Sequence, residues 1–276
     1  MGLVDDIRSE ALDKNVNVQG AVAKKIEDLF NSLYYAPKNM DEEVKFVKQM
    51  FTRGGISLER VGLHTSAMIV SDNEFCVRQQ VLSLLFKQAQ KENVPIDLLR
   101  IFEAGNAIHE KWQRLFIRGG LCHAEDLDFT RFVDEYELSF TPDAIITING
   151  KKYVVEIKSV NTYQFQKMTS HPSAYKQVNM YMRFSGIKRG IILCEDKNTQ
   201  KFKVFPVKYN SAVTDPYVER LEAVKYYKER FLSQGIMVKR CEQCNSYLCK
   251  RALKCPMRDA CYNKGMGRQL INQITL

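Results

Sequence analysis

The stretch from Pro142 to Ser159 reads PDAIITINGKKYVVEIKS, and the way its two halves pair decides the fold. Two apolar, β-prone runs flank Asn149-Gly150, the strongest short hairpin signal, because both turn residues must take φ > 0. With a two-residue loop the register follows: Ile148 faces Lys151, Thr147 faces Lys152 and, further out, Asp143 faces Glu156. Opposed side chains have Cβ atoms about 4.5–5.5 Å apart, and like charges there repel. A divalent cation offsets such repulsion, since Mg²⁺ is commonly held by one or two carboxylates and keeps several waters. Strand alternation puts Lys158 on the face of Asp143 and Glu156. The opposite face carries Ala144, Ile146, Ile148, Tyr153, Val155 and Ile157 and reads as core. The hairpin therefore predicts a two-acid metal site with a lysine beside it; the alternative is a solvated face with a chance acid pair.

The elements around the hairpin predict a mixed α/β domain. Residues 1–64 read as helical: Val22, Ile26, Leu29 and Leu33 share one stripe, and Val44, Val47 and Phe51, with Met50 beside them, form another. This segment has no catalytic motif and reads as a packing or partner-binding extension. Ser71 or Asp72 can cap a helix running through Cys76, Val77, Val81 and Leu84. A helix over 103–118 has Ile108, Trp112, Leu115 and Phe116 as its apolar stripe, with His109 beside it. Arg131–Phe140 reads as a strand leading into the hairpin. A helix over 173–185 sets Gln177 and Tyr181 on one face, four residues apart. RGIILCED and KFKVFPV are two more strands around a Lys197-Asn198 turn, and a tail helix carries Val218, Leu221, Val224 and Phe231 on one side. The division expected is 1–64, helical extension; 65–210, core; 211–276, a basic, cysteine-rich cap closing onto the Cys76 helix.

Charge and cysteine usage narrow the function. The chain carries a formal net charge of +9. From Lys197 onward 16 basic residues stand against six acidic ones, a net +10, so the excess sits in the last third. A concentrated positive field favours a polyanion, most simply nucleic acid. The opening MGLVDDIRSE is polar and acidic, so no secretory leader is expected, and Asp6 stands where a myristoylation signal on Gly2 needs Ser or Thr. No apolar run is long enough to span a membrane; the expectation is a cytoplasmic protein. Eight cysteines in a reducing compartment point to metal ligation rather than disulfides. Five of them, Cys241, Cys244, Cys249, Cys255 and Cys261, fall within 21 residues. Such a cluster suggests a four-thiolate site for zinc or an iron–sulphur cluster.

These motifs together resemble the PD-(D/E)xK nuclease superfamily. More narrowly the chain looks like the RecB-type exonucleases with an iron–sulphur cluster, which include CRISPR-associated adaptation nucleases and related phage enzymes. The resemblance covers roughly 65–265. GNAIHE matches the family's histidine helix through His109, PDAI supplies Asp143, EIK supplies Glu156 and Lys158, and QVNMY matches the QxxxY motif through Gln177 and Tyr181. CVR at Cys76 resembles the first cluster cysteine, and CPMRDAC the closing pair, Cys255 and Cys261. The family's third tail cysteine falls here on Ala252, a departure. Cys241, Cys244 and Cys249 compete for that place, with Cys244 favoured. Cys241-x-x-Cys244 has zinc-ligand spacing, so a zinc site confined to the tail stays open.

The resemblance implies a restriction-endonuclease-like core, a mixed sheet flanked by helices. It implies metal-dependent hydrolysis of DNA phosphodiesters, as an exonuclease in end processing, recombination or replication. His109, Asp143, Glu156 and the Ile157 carbonyl would hold Mg²⁺ or Mn²⁺, Lys158 would position the attacking water, and Gln177 and Tyr181 would hold the DNA strand or the site. A [4Fe–4S] cluster on Cys76, Cys244, Cys255 and Cys261 would be structural. Partners would be DNA, single-stranded or at ends, and a helicase or recombination protein, in the host cytoplasm if phage-encoded. The competing reading is a DNA-binding or recombination-complex subunit without catalysis.

Overall fold

Asn149 and Gly150 take φ of 51° and 72°, and the strands on either side pair as a two-residue turn requires. The computed structural model describes residues 20–52, 62–86, 96–127 and 130–262. Gly2, Asp6, the Phe51 side chain, Lys264 and Arg268 lie outside the described residues. Helix α1 covers residues 20–32, followed by α2 (Met40–Thr52), β1 (Leu63–His64), α3 (Thr65–Met68), α4 (Val77–Leu85) and α5 (Ile96–Arg118). Then come β2 (Arg131–Val133), β3 (Leu138–Phe140), β4 (Ala144–Ile148), β5 (Lys151–Val160), α6 (Thr162–Lys167) and α7 (Pro172–Ser185). The chain closes with β6 (Arg189–Asp196), β7 (Phe202–Lys208), α8 (Ser211–Gln234), α9 (Lys250–Leu253) and α10 (Arg258–Cys261).

The chain divides into two compact units. One comprises Met1–Arg53, Val94–Phe129 and Thr141–Asn210; the other comprises Gly54–Asn93, Thr130–Phe140 and Ser211–Leu276. The first is built on a mixed four-stranded sheet ordered β4-β5-β6-β7. β4/β5 and β6/β7 pair antiparallel, and β5/β6 pair parallel through the α6–α7 crossover. On one face Ala144, Ile146, Val155, Ile157, Ile191 and Leu193 are buried against Trp112, Leu115 and Phe116 of α5 and Ile26 and Phe30 of α1. On the other face α7 comes so close that a Cβ on Gly190 would stand 2.3 Å from Val178 Cγ1. Glycine at that point lets α7 lie against the strand that borders β5. The outer edge of β4 is covered rather than bare: Thr147 N–H donates to the Leu121 carbonyl at 2.7 Å, and Leu127 bridges Ala144.

Helices α1 and α2 are packed into this core; the stripe expected for the first holds at Ile26, Leu29 and Leu33, whereas α2 turns a different face inward. Ile26, Phe30 and Leu33 point in while Val22 is exposed. In α2 Phe46 is buried and Met50 packs against the core, whereas Val44 and Val47 are exposed. Both sets obey 3–4 spacing; the tertiary contact with the α5 aromatics selects the phase carrying the larger rings.

The second unit has a three-stranded sheet ordered β1-β3-β2. Arg131–Phe140, expected as one strand leading into the hairpin, is two strands of this separate sheet. A 3₁₀ turn at Asp134–Tyr136 and Glu137 at φ 49° break it. Four charged or aromatic residues in a row, DEYE, cannot alternate in and out of a core. Helix α4 starts at Val77, later than expected, so Cys76 is the extended residue at its N-cap rather than part of the helix. Ser71 and Glu74 bond to each other in the turn before it, Ser71 Oγ to Glu74 Oε2 at 2.8 Å. Thr214, Tyr217, Leu221 and Val224 form the buried face of α8.

Candidate active site

The β4–β5 ladder stops at Ala144↔Val155, one pair short of Asp143 and Glu156. Two residues explain the stop. The next residue of β5 that faces β4 is Ile157, and Pro142 opposite it has no N–H to give. Asp143 fills the gap with its side chain: Oδ2 accepts the Ile157 N–H at 2.6 Å. In an antiparallel pair the N–H and C=O of one residue face the same neighbour, so the Ile157 carbonyl turns toward this same edge.

Helix α5 grips Asp143 from a second side. His109 Nδ1 lies 3.2 Å from Asp143 Oδ1, and Gln113 Nε2 donates to the Asp143 carbonyl at 2.8 Å. These residues are four apart on one helical face. Two residues between them anchor α5 to the sheet. Lys111 Nζ and Trp112 Nε1 each donate to a different oxygen of Glu195 on β6, both at 2.6 Å, and Glu195 is 1% exposed. Sequence reading misses Gln113 and Glu195; the signals were the i, i+4 relation to His109 and the need of a buried Trp112 N–H for an acceptor.

Glu156 is buried, and its two oxygens differ. Oε1 pairs with Lys158 Nζ at 2.5 Å, while Oε2 is buried without a hydrogen-bond partner. Burial first, then the negative Asp143, push the Glu156 carboxyl up to about 8, against the pull of Lys158. For Lys158 burial favours the neutral amine, but the Glu156 charge and hydrogen bond, with Asp143, outweigh it and raise it. Glu156 is thus an acid whose ionisation burial and Asp143 oppose, beside a lysine kept protonated. From Lys158 a chain of bonds runs into α7: Lys158 Nζ donates to Gln177 Oε1 at 3.3 Å, and Gln177 Nε2 donates to the Tyr181 hydroxyl at 2.5 Å. Tyr181 is buried, which, with Glu156 nearby, lifts its hydroxyl well above the usual tyrosine range.

The structure thus brings His109, Asp143, Glu156, Lys158, Gln177 and Tyr181 into one connected set within the first unit. Among the described residues no three His, Cys, Asp or Glu side chains are grouped so as to hold a metal ion. Here His109 is engaged with Asp143, and Lys158 with Glu156.

The cysteines lie in the second unit. Cys76, Cys241, Cys244, Cys255 and Cys261 line one cavity of about 10 Å³. Burial pushes the Cys76 thiol up, a Gln79 N–H partly offsets this, and the adjoining Cys241 thiol adds to it. Cys255, raised by burial, is raised further by Cys76, Cys261 and Cys241. Cys244 is pushed up to about 12 by burial and by bonding to Cys241. Cys249 does not line the cavity; its sulphur caps α9, accepting from Ala252 N–H at 3.3 Å. Arginines fasten the walls. Arg251 donates to the carbonyls of Glu74 and Phe75 at 3.1 and 3.0 Å, just before Cys76. Arg78 donates to Cys261 Sγ at 3.2 Å and to the Val238 carbonyl at 2.6 Å.

No family model and no curated protein matches the chain. Among solved structures it is similar to SSO0001, 14% identical with a TM-score of 0.43, over 80% of this chain and 98% of that one. It is also similar to LHK-Exo, an alkaline exonuclease from Laribacter hongkongensis, in its complex with dAMP: 14% identity, TM-score 0.46, 62% of this chain and 90% of that one. A phage related exonuclease from Haemophilus somnus 129PT is 15% identical with a TM-score of 0.45, over 65% of this chain and 98% of that one. At such similarity it is the geometry of this chain's own side chains that bears on function. Among the described residues no helix is long and apolar enough to cross a membrane.

Proposed function

We propose that this chain is a divalent-metal-dependent deoxyribonuclease that hydrolyses phosphodiester bonds from DNA ends. The observation that carries the reading is Glu156: a buried carboxylate with an unpartnered oxygen, next to Asp143, with a lysine on the same strand face. Such an arrangement costs stability and is best explained by a cation that offsets it. The donor set fits Mg²⁺ or Mn²⁺, hard ions that take oxygen ligands and need only one or two carboxylates. Asp143, Glu156, His109 and the Ile157 carbonyl would hold the ion, which supplies Lewis-acid stabilisation of charge developing on the phosphate. Lys158 orients the attacking water and stabilises that same charge. Gln177 holds Lys158 in place, and Tyr181 holds Gln177. Gln113 and the Ile157 N–H fix Asp143 from its carbonyl and its carboxylate. Action from ends, and a role in repair, recombination or replication beside a helicase or recombination protein, rest on the motif resemblance.

The test is degradation of 5′- and 3′-labelled single- and double-stranded DNA with Mg²⁺ or Mn²⁺, with Glu156→Gln alongside. Loss of labelled DNA by the parent and not by the variant supports the reading, and the label released gives the polarity. Cleavage of no substrate by the parent would leave a DNA-binding subunit.

We further propose that the cysteine pocket holds a structural [4Fe–4S] cluster. Soft thiolates select zinc or iron–sulphur centres. In a [4Fe–4S] cluster each thiolate binds its own iron, so the four need not converge on one ion. Five thiols line the pocket, and the preference for an iron–sulphur cluster over zinc rests on the motif resemblance. Cys76, Cys255 and Cys261 supply three ligands. For the fourth, the bond between Cys241 and Cys76 favours Cys241 over Cys244.

A further inference from the structure

Beyond Lys158, strand β5 ends at Val160, which shares the face of Glu156 and Lys158. Val160 opens onto a hollow of about 350 Å³, walled by α6 and the segment entering α7. We infer that this hollow is a single-strand subsite, taking the base of a nucleotide next to the scissile phosphate and stacking it on Tyr163.

Four observations carry this. Tyr163 is 67% exposed, so its ring is a presented surface rather than part of the core. Lys167 Nζ sits 4.0 Å from the centre of that ring and donates to its hydroxyl at 2.6 Å. With the ammonium over one face of the ring, the other face is the stacking surface; an aromatic ring paired with a cation is the element with which single-stranded nucleic acid is held, stacking for the base and positive charge for the backbone. The remaining walls offer the Gln164 amide and the Ser170 hydroxyl, donors and acceptors suited to a base edge, and no acid; the Ser173 hydroxyl is engaged with His171 Nδ1 at 3.3 Å. His171 completes the wall. Its Nδ1 accepts the Ala174 N–H at 3.3 Å, so Nδ1 carries no proton and Nε2–H is left as a donor. Burial and the nearby Lys158 charge both hold that imidazole neutral.

The platform is fastened before anything binds. Asn161 caps α6 through Gln164 N–H at 2.8 Å, and Thr162 Oγ1 donates to Asp196 Oδ1 at 2.9 Å. Lys203 Nζ ties down the other end, donating to the carbonyls of Phe165 and Met168 at 2.7 and 3.1 Å. A preformed surface loses little conformational freedom on binding. The distance also suits one neighbouring nucleotide: Lys158 to Val160 is two strand residues, about 6.6 Å at the usual rise. The hollow's volume lies within the about 300–1,000 Å³ range of small-molecule sites.

The subsite's place beside a scissile phosphate rests on the nuclease reading; its capacity to bind a base does not. The experiment therefore reads binding alone. A fluorescent single-stranded oligonucleotide is titrated in metal-free buffer with chelator, using the parent, Tyr163→Ala and Tyr163→Phe. It is repeated with oligonucleotides carrying one abasic position, moved along the strand. Tyr163→Ala should weaken the intact strand about tenfold or more, and Tyr163→Phe far less. With the abasic residue at the position that fills the hollow, parent and Tyr163→Ala should bind alike. Lys167→Met should lower the salt dependence of binding by about one phosphate contact. Unchanged affinity in Tyr163→Ala, equal weakening on intact and abasic strands, or no single-strand binding by the parent would overturn the assignment. A protein that shows the Tyr163 pattern yet cuts nothing would keep the subsite and lose the nuclease.

Discussion

Asp143 stands in for a backbone partner: its Oδ2 takes the Ile157 N–H at 2.6 Å, one position beyond the end of the ladder. The same carboxylate is thus both a structural tie and a proposed metal ligand, and two substitutions separate the roles. Asp143→Asn keeps an oxygen for the Ile157 N–H and should unfold near the parent's temperature. Asp143→Ala strands that N–H and should lose about 1–3 kcal/mol. Both should cut DNA at least about a hundredfold more slowly, the scale on which loss of one electrostatic group is felt. Thermal unfolding and labelled-DNA cleavage, measured together, check both halves; a fast-cutting Asp143→Asn would remove the acid from the metal site.

Glu156, pushed up to about 8 in the metal-free protein, gives a pH dependence of definite sign. Its folded value lies above the ordinary carboxyl range, so ionising it costs stability. That cost is absent in acid, grows as pH rises past about 4.5, and is complete above about 8. Glu156→Gln should therefore gain stability over the parent at pH 8 and lose the advantage near pH 4. Because the ion needs the carboxylate, Mg²⁺ binding should release a proton and tighten by up to about tenfold per pH unit below 8. Calorimetry at pH 6 and 7, in buffers of different ionisation enthalpy, measures both; pH-independent binding would contradict the raised acid.

Lys158 is held between Glu156 and Gln177 rather than aimed at an ion. Lys158→Ala should depress turnover at saturating metal by about a hundredfold or more and leave the metal concentration giving half-maximal rate within a few-fold. A large loss of metal affinity with intact turnover would assign the lysine another role.

The Glu195 clamp predicts a stability effect far from the acids in sequence. Glu195→Leu leaves the Trp112 N–H and the Lys111 ammonium without their acceptor and should cost about 3 kcal/mol or more. Trp112 is the chain's one tryptophan, so its emission reports the same change without a label.

Cysteine substitutions rank the cluster ligands. Anaerobically purified protein should be brown with roughly four irons per chain. Cys76→Ser, Cys241→Ser, Cys255→Ser and Cys261→Ser should lose iron and stability together, and Cys249→Ser should keep both. A colourless protein with stoichiometric zinc, and a Cys76→Ser variant as stable as the parent, would confine the metal to the tail.

The hairpin was legible because a two-residue turn admits one register, and the pairs from Ala144↔Val155 to Ile148↔Lys151 follow it. Its end was not, since stopping at Ala144 depends on Pro142 lacking an N–H to donate and on the Asp143 carboxylate accepting the Ile157 N–H in place of a backbone carbonyl. The phase of α2, and the burial of Phe30 in α1 where Val22 stays exposed, were hidden for another reason. Val22 and Phe30, or Val44 and Phe46, are equally apolar choices until the rings of Trp112 and Phe116 are in place. Which of Cys241 and Cys244 bonds to Cys76 was likewise not legible, because the two share one C-x-x-C and Cys76 is distant in sequence. Glu195 reads simply as a strand residue, because its partners lie more than eighty positions earlier.

Arg78 and Cys261 are bonded across 183 positions of sequence. A growing chain presents the Cys76 wall first, and the opposite wall follows only after the 183 positions that separate Arg78 from Cys261. Closing a loop of that length is entropically slow, and contacts so distant in sequence form late. Until residue 260 is made, Leu82 lacks Met257 and Ala260, which share its buried cluster in the finished protein. The second unit thus has an obligatory late step, and a nascent chain stalled short of it exposes apolar surface for as long as the wait lasts.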